Sequence, residues 1–333
     1  MSSLVIQARR GDAIESLHRV SVAVVTEGGE LVARSGDPTF PTFLRSAAKP
    51  FQAMPLVSDG IADRFGVTDE ELALACASHN SERRQVGLVR GLLARIGCDE
   101  SHLACGPHRP LAFDLAVRPD GAAPPTDLAP PGPLASNCSG KHAGMLALAR
   151  GKGWAIEGYT RPDHPVQQRC RAEVAAWTGV EEAALAEGVD GCGVVTFQVP
   201  LVAAARAFAR FGASDRPAVA RLRMAMTGHP DLVAGRDRLD TELMRAYPGA
   251  IVTKVGADGV WGAALLRRGL GLAVKVEDGH VRASMVALLA VLDQLGLDPH
   301  PSEMLPRFAR PTIVNTRGLP VGSLRPAGGL TFE

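Results

Sequence analysis

Sequence patterns typical of β-strands occur at both ends of the chain, and patterns typical of helices fill its middle. Residues 18–25 alternate and are rich in β-branched side chains, and a glycine turn at 27–30 leads into a second short strand. Three further strands are predicted between Ala250 and Gly279, followed by a long apolar helix at 281–295. Strands at the two ends can pair with one another, so the pattern predicts one antiparallel sheet assembled from both ends.

The predicted fold class is α/β, and more narrowly α+β, with helices flanking the antiparallel sheet and a helical middle region. Residues 1–333 are expected to form a single domain. The sheet-forming parts are assigned to residues 14–45 and 250–296, and residues 46–249 are expected to be mainly helical. Within that middle part, 197–211 is predicted as a helix, and the proline-rich stretch 107–133 is predicted as an ordered loop or a lid.

Composition argues against several classes of partner. The chain has 36 basic and 35 acidic residues and no basic block, so neither nucleic acid nor an anionic membrane is an expected partner. No apolar run reaches the roughly 18 residues that a membrane span requires, and the first ten residues lack the apolar core of a signal peptide. The six scattered cysteines are expected to be reduced thiols, so we expect a cytoplasmic protein.

The segment Arg45 to Pro50 contains a Ser-x-x-Lys motif. Ser46 and Lys49 are three residues apart, which places their side chains on the same face of a helix. Pro50 is tolerated only near a helix start, so Ser46 is expected at a helix N-terminus, where free N–H groups favour negative charge. The alternative interpretation is a capping serine followed by a solvated lysine, because a four-residue motif also occurs by chance.

Two more short motifs follow in order along the chain. Ser78-His79-Asn80 comes after a predicted helix, and Lys254-Val255-Gly256 lies in the first of the three late strands. S-x-x-K, S-x-N and K-x-G in this order are the trio of serine β-lactamases and penicillin-binding proteins. A lysine accepts a serine proton only when burial or a second cation lowers its pKa, and Lys254 would supply that cation. Taken singly, the second and third motifs are equally consistent with a helix end and an ordinary strand.

A second cluster combines thiols with charged neighbours. Cys138 lies beside Lys141 and His142, and Cys192 follows Asp190 in a glycine-rich turn. Thiols with such neighbours are able to hold a zinc ion, but the spacing is not that of a zinc finger. The residues alone leave two interpretations open, a zinc site or two buried reduced cysteines beside glycine turns, and composition favours the second.

At these residues the chain closely resembles the rhizobial-type, or class 3, L-asparaginase II family. The stretches that carry the resemblance span about Ile14 to Leu295. They read RSAAKPFQAMPL, ELALACASHN, CGPH, NCSGKHAGML, DHPVQ, DGCGVVTF, HPDLVAG, KVGADGVWG and GLAVKVEDG. The resemblance implies a fold like that of serine β-lactamases, amidohydrolase activity on L-asparagine, and a homodimer. Ser81 departs from the family pattern, in which glycine usually follows this motif.

The resemblance also implies residue roles. Catalysis is assigned to two Ser–Lys pairs, which are Ser46 with Lys49 and Ser78 with Lys254. A zinc ion is assigned to Cys138, Lys141 and Cys192, which reverses the preference that composition gave. Substrate binding is expected from Arg45, His79, Asn80, His142, Asp190 and Gly256.

The expected reaction converts L-asparagine into L-aspartate and ammonia through a seryl acyl-enzyme. Two alternatives stay open at this point: a β-lactamase or D,D-peptidase-like serine hydrolase, and a non-catalytic zinc-dependent module that binds a ligand. The stretch after Pro299 matches no pattern from which a role follows.

Overall fold

The structure, a computed structural model, describes residues 2–113, 115, 126–298 and 302–333. The strands are β1 (Val5–Arg10), β2 (Ala13–Thr26), β3 (Leu31–Ser35), β4 (Pro41–Phe43), β5 (Ala186–Val189), β6 (Val195–Pro200), β7 (Ile251–Val255), β8 (Val260–Leu265), β9 (Leu270–Val276), β10 (Thr312–Val314), β11 (Pro320–Ala327) and β12 (Thr331–Phe332). The helices are α1 (Lys49–Ser58), α2 (Ile61–Phe65), α3 (Asp69–Ala75), α4 (Arg83–Arg95), α5 (Ser139–Lys152), α6 (Pro165–Thr178), α7 (Leu201–Ala213), α8 (Pro217–Gly228), α9 (Pro230–Val233), α10 (Leu239–Ala246), α11 (Val281–Gln294) and α12 (Leu305–Ala309).

The main sheet is antiparallel and is assembled from the two ends of the chain, as the sequence predicts. Its order is β10-β11-β1-β2-β9-β8-β7, and β3 pairs with both β2 and β12. The long strand β2 pairs with β1 along its first part and with β3 and β9 along its second part. The α+β class and the meeting of the two ends in one sheet are confirmed.

Helices cover both faces of this sheet. Trp261 and Gly262 are neighbours on β8, so their side chains point to opposite faces. The Trp261 indole donates to Ser284 on α11 at 2.8 Å. A Cβ atom at Gly262 would lie 1.9 Å from the ring of Phe208 on α7, so glycine is what lets α7 approach the other face. The sheet is therefore packed between α7 and α11.

Three groups of strands were not revealed by the sequence. Strand β1 precedes the predicted hairpin, and the stretch after Pro299 supplies β10, β11 and β12; all of these extend the main sheet. Strand β4, near the N-terminus, forms a second antiparallel sheet with β6 and β5 from the middle of the chain, in the order β4-β6-β5. The prediction of a helix over 197–211 is wrong at its start, because Phe197–Pro200 belongs to β6 and the helix begins at Leu201. Pairing with β4 and β5 on both sides outweighs the local helical pattern.

The 107–133 stretch, predicted as a loop or lid, contains residues 114 and 116–125, which lie outside the described residues. Its described part borders the cavity presented next. Within the described part of the chain, none of the helices has the length and apolar character that crossing a membrane demands.

Candidate active site

A cavity of about 350 Å³ lies between the end of β7 and the N-terminal ends of α1 and α5. Several of the described residues that line this cavity have charged, hydroxyl, imidazole or thiol side chains. They are Arg45, Ser46, Ser78, Cys105, His108, Ser136, Cys138, Asp190, Cys192 and Asp258. These residues come from distant parts of the sequence. The fold thus gathers most of the predicted chemistry into a single cleft.

Ser46 lies at the start of a helical segment, as the sequence predicts. A 3₁₀ turn, Arg45–Ala48, leads directly into α1, and the Lys49 N–H donates to the Ser46 carbonyl. Pro50 lies in the first turn of α1, where a missing N–H removes no helical hydrogen bond. Arg45 has a φ of 49°, which is uncommon outside glycine, so the backbone turns sharply just before Ser46. The serine is therefore held where N–H groups and the helix dipole favour a developing negative charge.

Ser78 lies between two buried lysines. Its Oγ is 3.0 Å from Lys49 Nζ and 2.8 Å from Lys254 Nζ. Both amines also donate to main-chain carbonyls, Lys49 to that of Ala77 at 2.6 Å and Lys254 to that of Val255 at 2.8 Å. Helix α1 and strand β7 thus direct their lysines at one hydroxyl group. Ser78 and Lys254 are in contact, whereas Lys49 contacts Ser78, and the pairing of Ser46 with Lys49 stays a prediction.

The pKa of Lys254 is held well below its usual value. Burial is the largest cause, because the charged amine loses its hydration, and the nearby Lys49 adds like-charge repulsion. Asp240 acts in the opposite direction. An amine that is easily deprotonated can accept a proton from a hydroxyl group, so Ser78 and Lys254 are chemically suited to proton transfer.

The thiol cluster forms another part of the wall. Lys141 Nζ donates to Cys192 Sγ at 3.0 Å, and the Cys138 thiol donates to Asn137 Oδ1 at 3.2 Å. The hydrogen bond from Cys192 is the main reason that the pKa of Cys138 is lowered, and the positive charges of Lys49 and Lys141 add to it. Burial would lower the pKa of Lys141, but the charges of Cys138, Cys192 and Asp190 outweigh burial and raise it.

The donor atoms of this cluster fit a zinc ion. Thiolate sulfur and neutral nitrogen are ligand types that zinc accepts. The Asp190 carboxylate is also close, with Oδ2 4.0 Å from Cys192 Sγ. No group of three or more His, Cys, Asp or Glu side chains within the described residues is placed to hold a metal ion, and here the third donor is a lysine. Lys141 would have to lose its proton to become a ligand.

Arg45 connects two acidic side chains at the cavity. Its Nε is 2.7 Å from Asp190 Oδ1, and its Nη1 pairs with Asp258 in the β7–β8 turn. Burial would raise the pKa of Asp190, but Lys141 and Arg45 outweigh burial and lower it. The cavity therefore offers fixed charges of both signs, which a zwitterionic amino acid requires.

Gly256 directly follows β7, the strand that carries Lys254. This glycine lines the cavity. A Cβ atom there would lie 2.9 Å from Val260 Cβ and 3.0 Å from the Leu44 carbonyl oxygen. Glycine is thus required for β7 to pass close to the segment that leads to Ser46. Its N–H donates to the Val260 carbonyl at 2.7 Å. A direct contact of Gly256 with substrate stays a prediction.

His79, Asn80 and His142 are almost completely buried and are not among the described residues that line the cavity. His79 Nε2 lies 2.9 Å from Ser139 Oγ, and His142 Nδ1 lies 2.6 Å from the Tyr159 hydroxyl. Their contacts in the structure support neighbouring protein segments. Substrate binding by these three residues stays a prediction.

Sequence reasoning missed three charged residues at or near the site. Asp258 lies in a turn that the sequence marked only as a connection between strands. Arg238 and Asp240 are completely buried at the start of α10. For Asp258, the sequence did contain a signal, namely an acidic residue two positions after the K-x-G motif. Arg238 and Asp240 flank a leucine, and this pattern gives no comparable signal.

The arrangement defines a class of protein. A hydroxyl group between two buried lysines, beside a serine at a helix start, is typical of hydrolases that use Ser–Lys pairs. The family model described as L-asparaginase II matches residues 6–326, and the chain belongs to that family. It is an amidohydrolase that acts on L-asparagine.

Comparison with curated proteins finds no match. Among solved structures, a β-lactamase from Mycobacterium bovis is similar over 84% of this chain and 95% of its own, with 15% sequence identity and a TM-score of 0.33. At that TM-score, the likeness carries no argument about fold or mechanism.

Proposed function

We propose that the chain hydrolyses L-asparagine through a seryl ester on Ser46, with Ser78, Lys49 and Lys254 transferring protons. One observation carries the proposal. Ser78 Oγ lies within hydrogen-bonding distance of both lysine amines, at 3.0 and 2.8 Å, in a cavity that Ser46 also lines. A relay of this kind supplies what a serine nucleophile lacks, namely an acceptor for its proton.

The reaction proceeds in two halves. Ser46 Oγ attacks the side-chain amide carbon of asparagine and gives its proton to the lysine–serine relay. The carbon–nitrogen bond then breaks, and ammonia leaves with a proton that the relay returns. Water attacks the resulting ester, its proton passes to the relay, and the ester bond to Ser46 breaks. Aspartate leaves and the serine is restored.

The helix start at Ser46 supports the charged intermediate. The Ser46 N–H lies in the first helical turn, where N–H groups have no partner within the helix. We assign this N–H to the oxyanion that forms on the attacked carbonyl. Loss of one such donor in other hydrolases costs about 10²–10³ in rate, so its placement is a major contribution.

Charged residues at the cavity orient the substrate. We assign the α-carboxylate of asparagine to Arg45 and the α-ammonium to Asp190, with Asp258 adding a second negative charge. The guanidinium already bridges both carboxylates, so it is fixed before substrate arrives. Fixed charges lower the cost of orienting a small ligand.

We further propose that Cys138, Lys141 and Cys192 hold zinc. When bound, zinc would polarise or position a substrate group. Cys138 and Cys192 line one part of the cavity wall, and the Lys141 contact with Cys192 keeps the two segments that carry these residues together.

We also propose that the protein acts in the cytoplasm as a homodimer. All six cysteines are free thiols, which suits a reducing compartment. The dimer follows from the family resemblance, and light scattering after size-exclusion chromatography measures it directly.

The test measures ammonia release from asparagine by the wild type, Ser46→Ala and Lys49→Ala. Both variants are expected to lose at least about 10³-fold in kcat, because nucleophile and proton relay act as a unit. Intact-mass analysis of acid-quenched wild type is expected to show an aspartyl adduct on Ser46.

Ser58→Ala is the matched control, because Ser58 ends the same helix on the exposed side. Its activity is expected to equal that of the wild type. Full activity in Ser46→Ala would contradict the proposal. Hydrolysis of nitrocefin without ammonia release from asparagine would instead favour the β-lactamase alternative.

A further inference from the structure

Arg238 and Asp240 are oppositely charged and flank Leu239 at the start of α10. Their relative exposures are 2% and 0%, so both charges have been removed from water. Burying two charges costs several kcal/mol each unless their surroundings compensate. These residues lie outside the cavity wall, yet both contact the segments that carry the proton relay.

The Arg238 guanidinium holds the segment that carries Ser78. Its Nη1 donates to the Ser78 carbonyl at 3.3 Å and to Asn80 Oδ1 at 2.9 Å. Asn80 in turn donates to the Arg236 carbonyl at 3.0 Å. The loop after α3 and the approach to α10 are therefore tied together directly beside Ser78.

The Asp240 carboxylate holds the strand that carries Lys254. Its Oδ1 accepts the Val255 N–H at 3.0 Å. Strand β7 is at the edge of the sheet, so the carboxylate takes the place of a neighbouring strand at this point. Lys254 Nζ donates to the carbonyl of the same Val255 at 2.8 Å. Val255 thus contacts both the Asp240 carboxylate and the Lys254 amine.

Charged and titratable groups face Lys254 from several elements. They are Lys49 at the start of α1, Cys76 at the end of α3, Cys138 at the start of α5, and Arg238 and Asp240 at the start of α10. Asp240 is the one carboxylate among them. Its Oδ2 and Arg238 Nη2 have no hydrogen-bond partner among the described residues, so their charges remain available to act on the amine through space.

We propose that Arg238 and Asp240 are positioning residues of the reaction: the guanidinium places Ser78, and the carboxylate places the strand segment that carries Lys254. The inference rests on the proposed function, since it assigns the two residues to that relay.

The carboxylate has a clear chemical purpose in this arrangement. Burial and Lys49 both drive Lys254 toward its neutral form. A relay amine must accept a proton and later return it, which works best when its pKa lies near the working pH. A negative charge close by limits the loss of basicity. Burial raises the pKa of Asp240, while the positive charges of Lys254 and Arg238 act in the opposite direction. Burial lowers the pKa of Arg238 to about 10, so the guanidinium stays charged at neutral pH and favours the ionised carboxylate.

The test is the pH profile of kcat/KM for asparagine in Asp240→Asn. Asparagine at this position keeps an oxygen that accepts the Val255 N–H but removes the charge. Without that charge the protonated amine is less stable, so the acidic limb of the profile is expected to move down by about one pH unit. A residue with a purely structural role would lower the rate at every pH and leave the limb in place.

Glu242→Gln is the matched control, because Glu242 is a carboxylate on the same helix that pairs with Arg245 at 3.7 Å and is not among the groups that face Lys254. Its acidic limb is expected to coincide with that of the wild type. The double variant Arg238→Met with Asp240→Leu covers the case in which Asp240→Asn does not fold, because replacing both of two opposite buried charges with apolar residues leaves neither charge without compensation. It removes charges of both signs together with the contacts to Ser78 and Val255, so kcat is expected to fall at least tenfold.

An unshifted limb in folded Asp240→Asn, or wild-type kcat in the double variant, would overturn the inference. Failure of the proposed function gives a different result, because the wild type itself would then release no ammonia in a Ser46-dependent way. An unshifted limb, by contrast, is measured on enzymes that are active.

Discussion

Lys254 and Lys141 are both buried close to the same cavity, yet burial leads to opposite results. The pKa of Lys254 is well below its usual value, and that of Lys141 is above it. Loss of hydration acts on both in the same direction. The difference comes from the neighbours, because Lys254 faces Lys49, whereas Lys141 faces two thiols and Asp190.

The comparison shows how one residue type can serve two purposes. A lysine that is driven toward neutrality beside a hydroxyl suits proton transfer, as at Ser78. A lysine that stays charged beside two cysteines favours a thiolate, and it adds to the effect of the hydrogen bond from Cys192, which is the main cause of the lowered pKa of Cys138. The identity of the amino acid therefore says little about its role until its neighbours are known.

The largest expected effect comes from removing each lysine in turn. Lys254→Met is expected to lower kcat at least about 10³-fold, because the proposed proton acceptor is lost. Folding is expected to be kept, because burial and Lys49 already disfavour a charge at this position. Lys141→Met is expected to cost about 10–100-fold, since the thiols lose their counter-charge but the relay stays intact. Steady-state ammonia release together with thermal unfolding measures both, and equal losses in the two variants would end the distinction.

A smaller effect is expected from Cys138→Ala. The variant removes one thiol of the proposed zinc set but leaves Ser46, Ser78 and their lysines untouched. Activity is expected to be reduced and not abolished, and zinc measured by elemental analysis after purification is expected to fall. Cys98→Ala serves as the control, because Cys98 is also buried but does not line the cavity. Unchanged zinc content in Cys138→Ala would remove this residue from the metal site.

The smallest expected effect concerns stability and involves His79. Burial, Lys49 and Arg238 lower the pKa of His79 to about 3, while the unfolded chain has a histidine pKa near 6.5. The unfolded state therefore binds more protons between these values, so stability falls as pH decreases through this window. The contribution of His79 is about 1.4 kcal/mol per pH unit.

Urea unfolding between pH 4 and pH 7 measures this slope. His79→Gln is expected to show a shallower loss of stability toward low pH than the wild type. His229→Gln, at a partly exposed histidine, is expected to keep the wild-type slope. The same dependence of stability on pH in all three proteins would show that burial beside Lys49 and Arg238 does not lower the pKa of His79 as it lowers that of Lys254.

Backbone strain separates the site from the rest of the molecule. Among the described residues, four that are not glycine have positive φ, namely Arg45, Ser81, Asp237 and Asp258. Each is adjacent in sequence to a residue that lines the cavity, that belongs to the proposed relay, or that belongs to or contacts the segment carrying Ser78. Ser81 has φ 70° where the resembled family usually has glycine, and its hydroxyl donates to the Ala135 carbonyl at 2.5 Å. Such strain is commonly concentrated at functional sites.

Short motifs with a strict local geometry could be predicted well. Ser46 and Lys49 are on one helical segment, so three residues of spacing already determine that they share a face. The strand that carries Lys254 was visible from its β-branched residues and the turns around it. Strand β4 was not visible, because its pairing partner β6 lies far away in the sequence. Strands β5 and β6 are close along the chain, but the later part of β6 falls within the stretch predicted as a helix.

By itself, the sequence determined the class of fold, the sheet assembled from both chain ends, and the residue types available for catalysis. These depend on local periodicity, turn residues and short motifs, which act over a few positions. Only the tertiary structure decided that Ser78 lies between two lysines, that Asp258 reaches Arg45, and that Arg238 and Asp240 contact the segments that carry Ser78 and Lys254. Such contacts join residues from separate elements, and their charges interact through space, so spacing along the chain does not encode them.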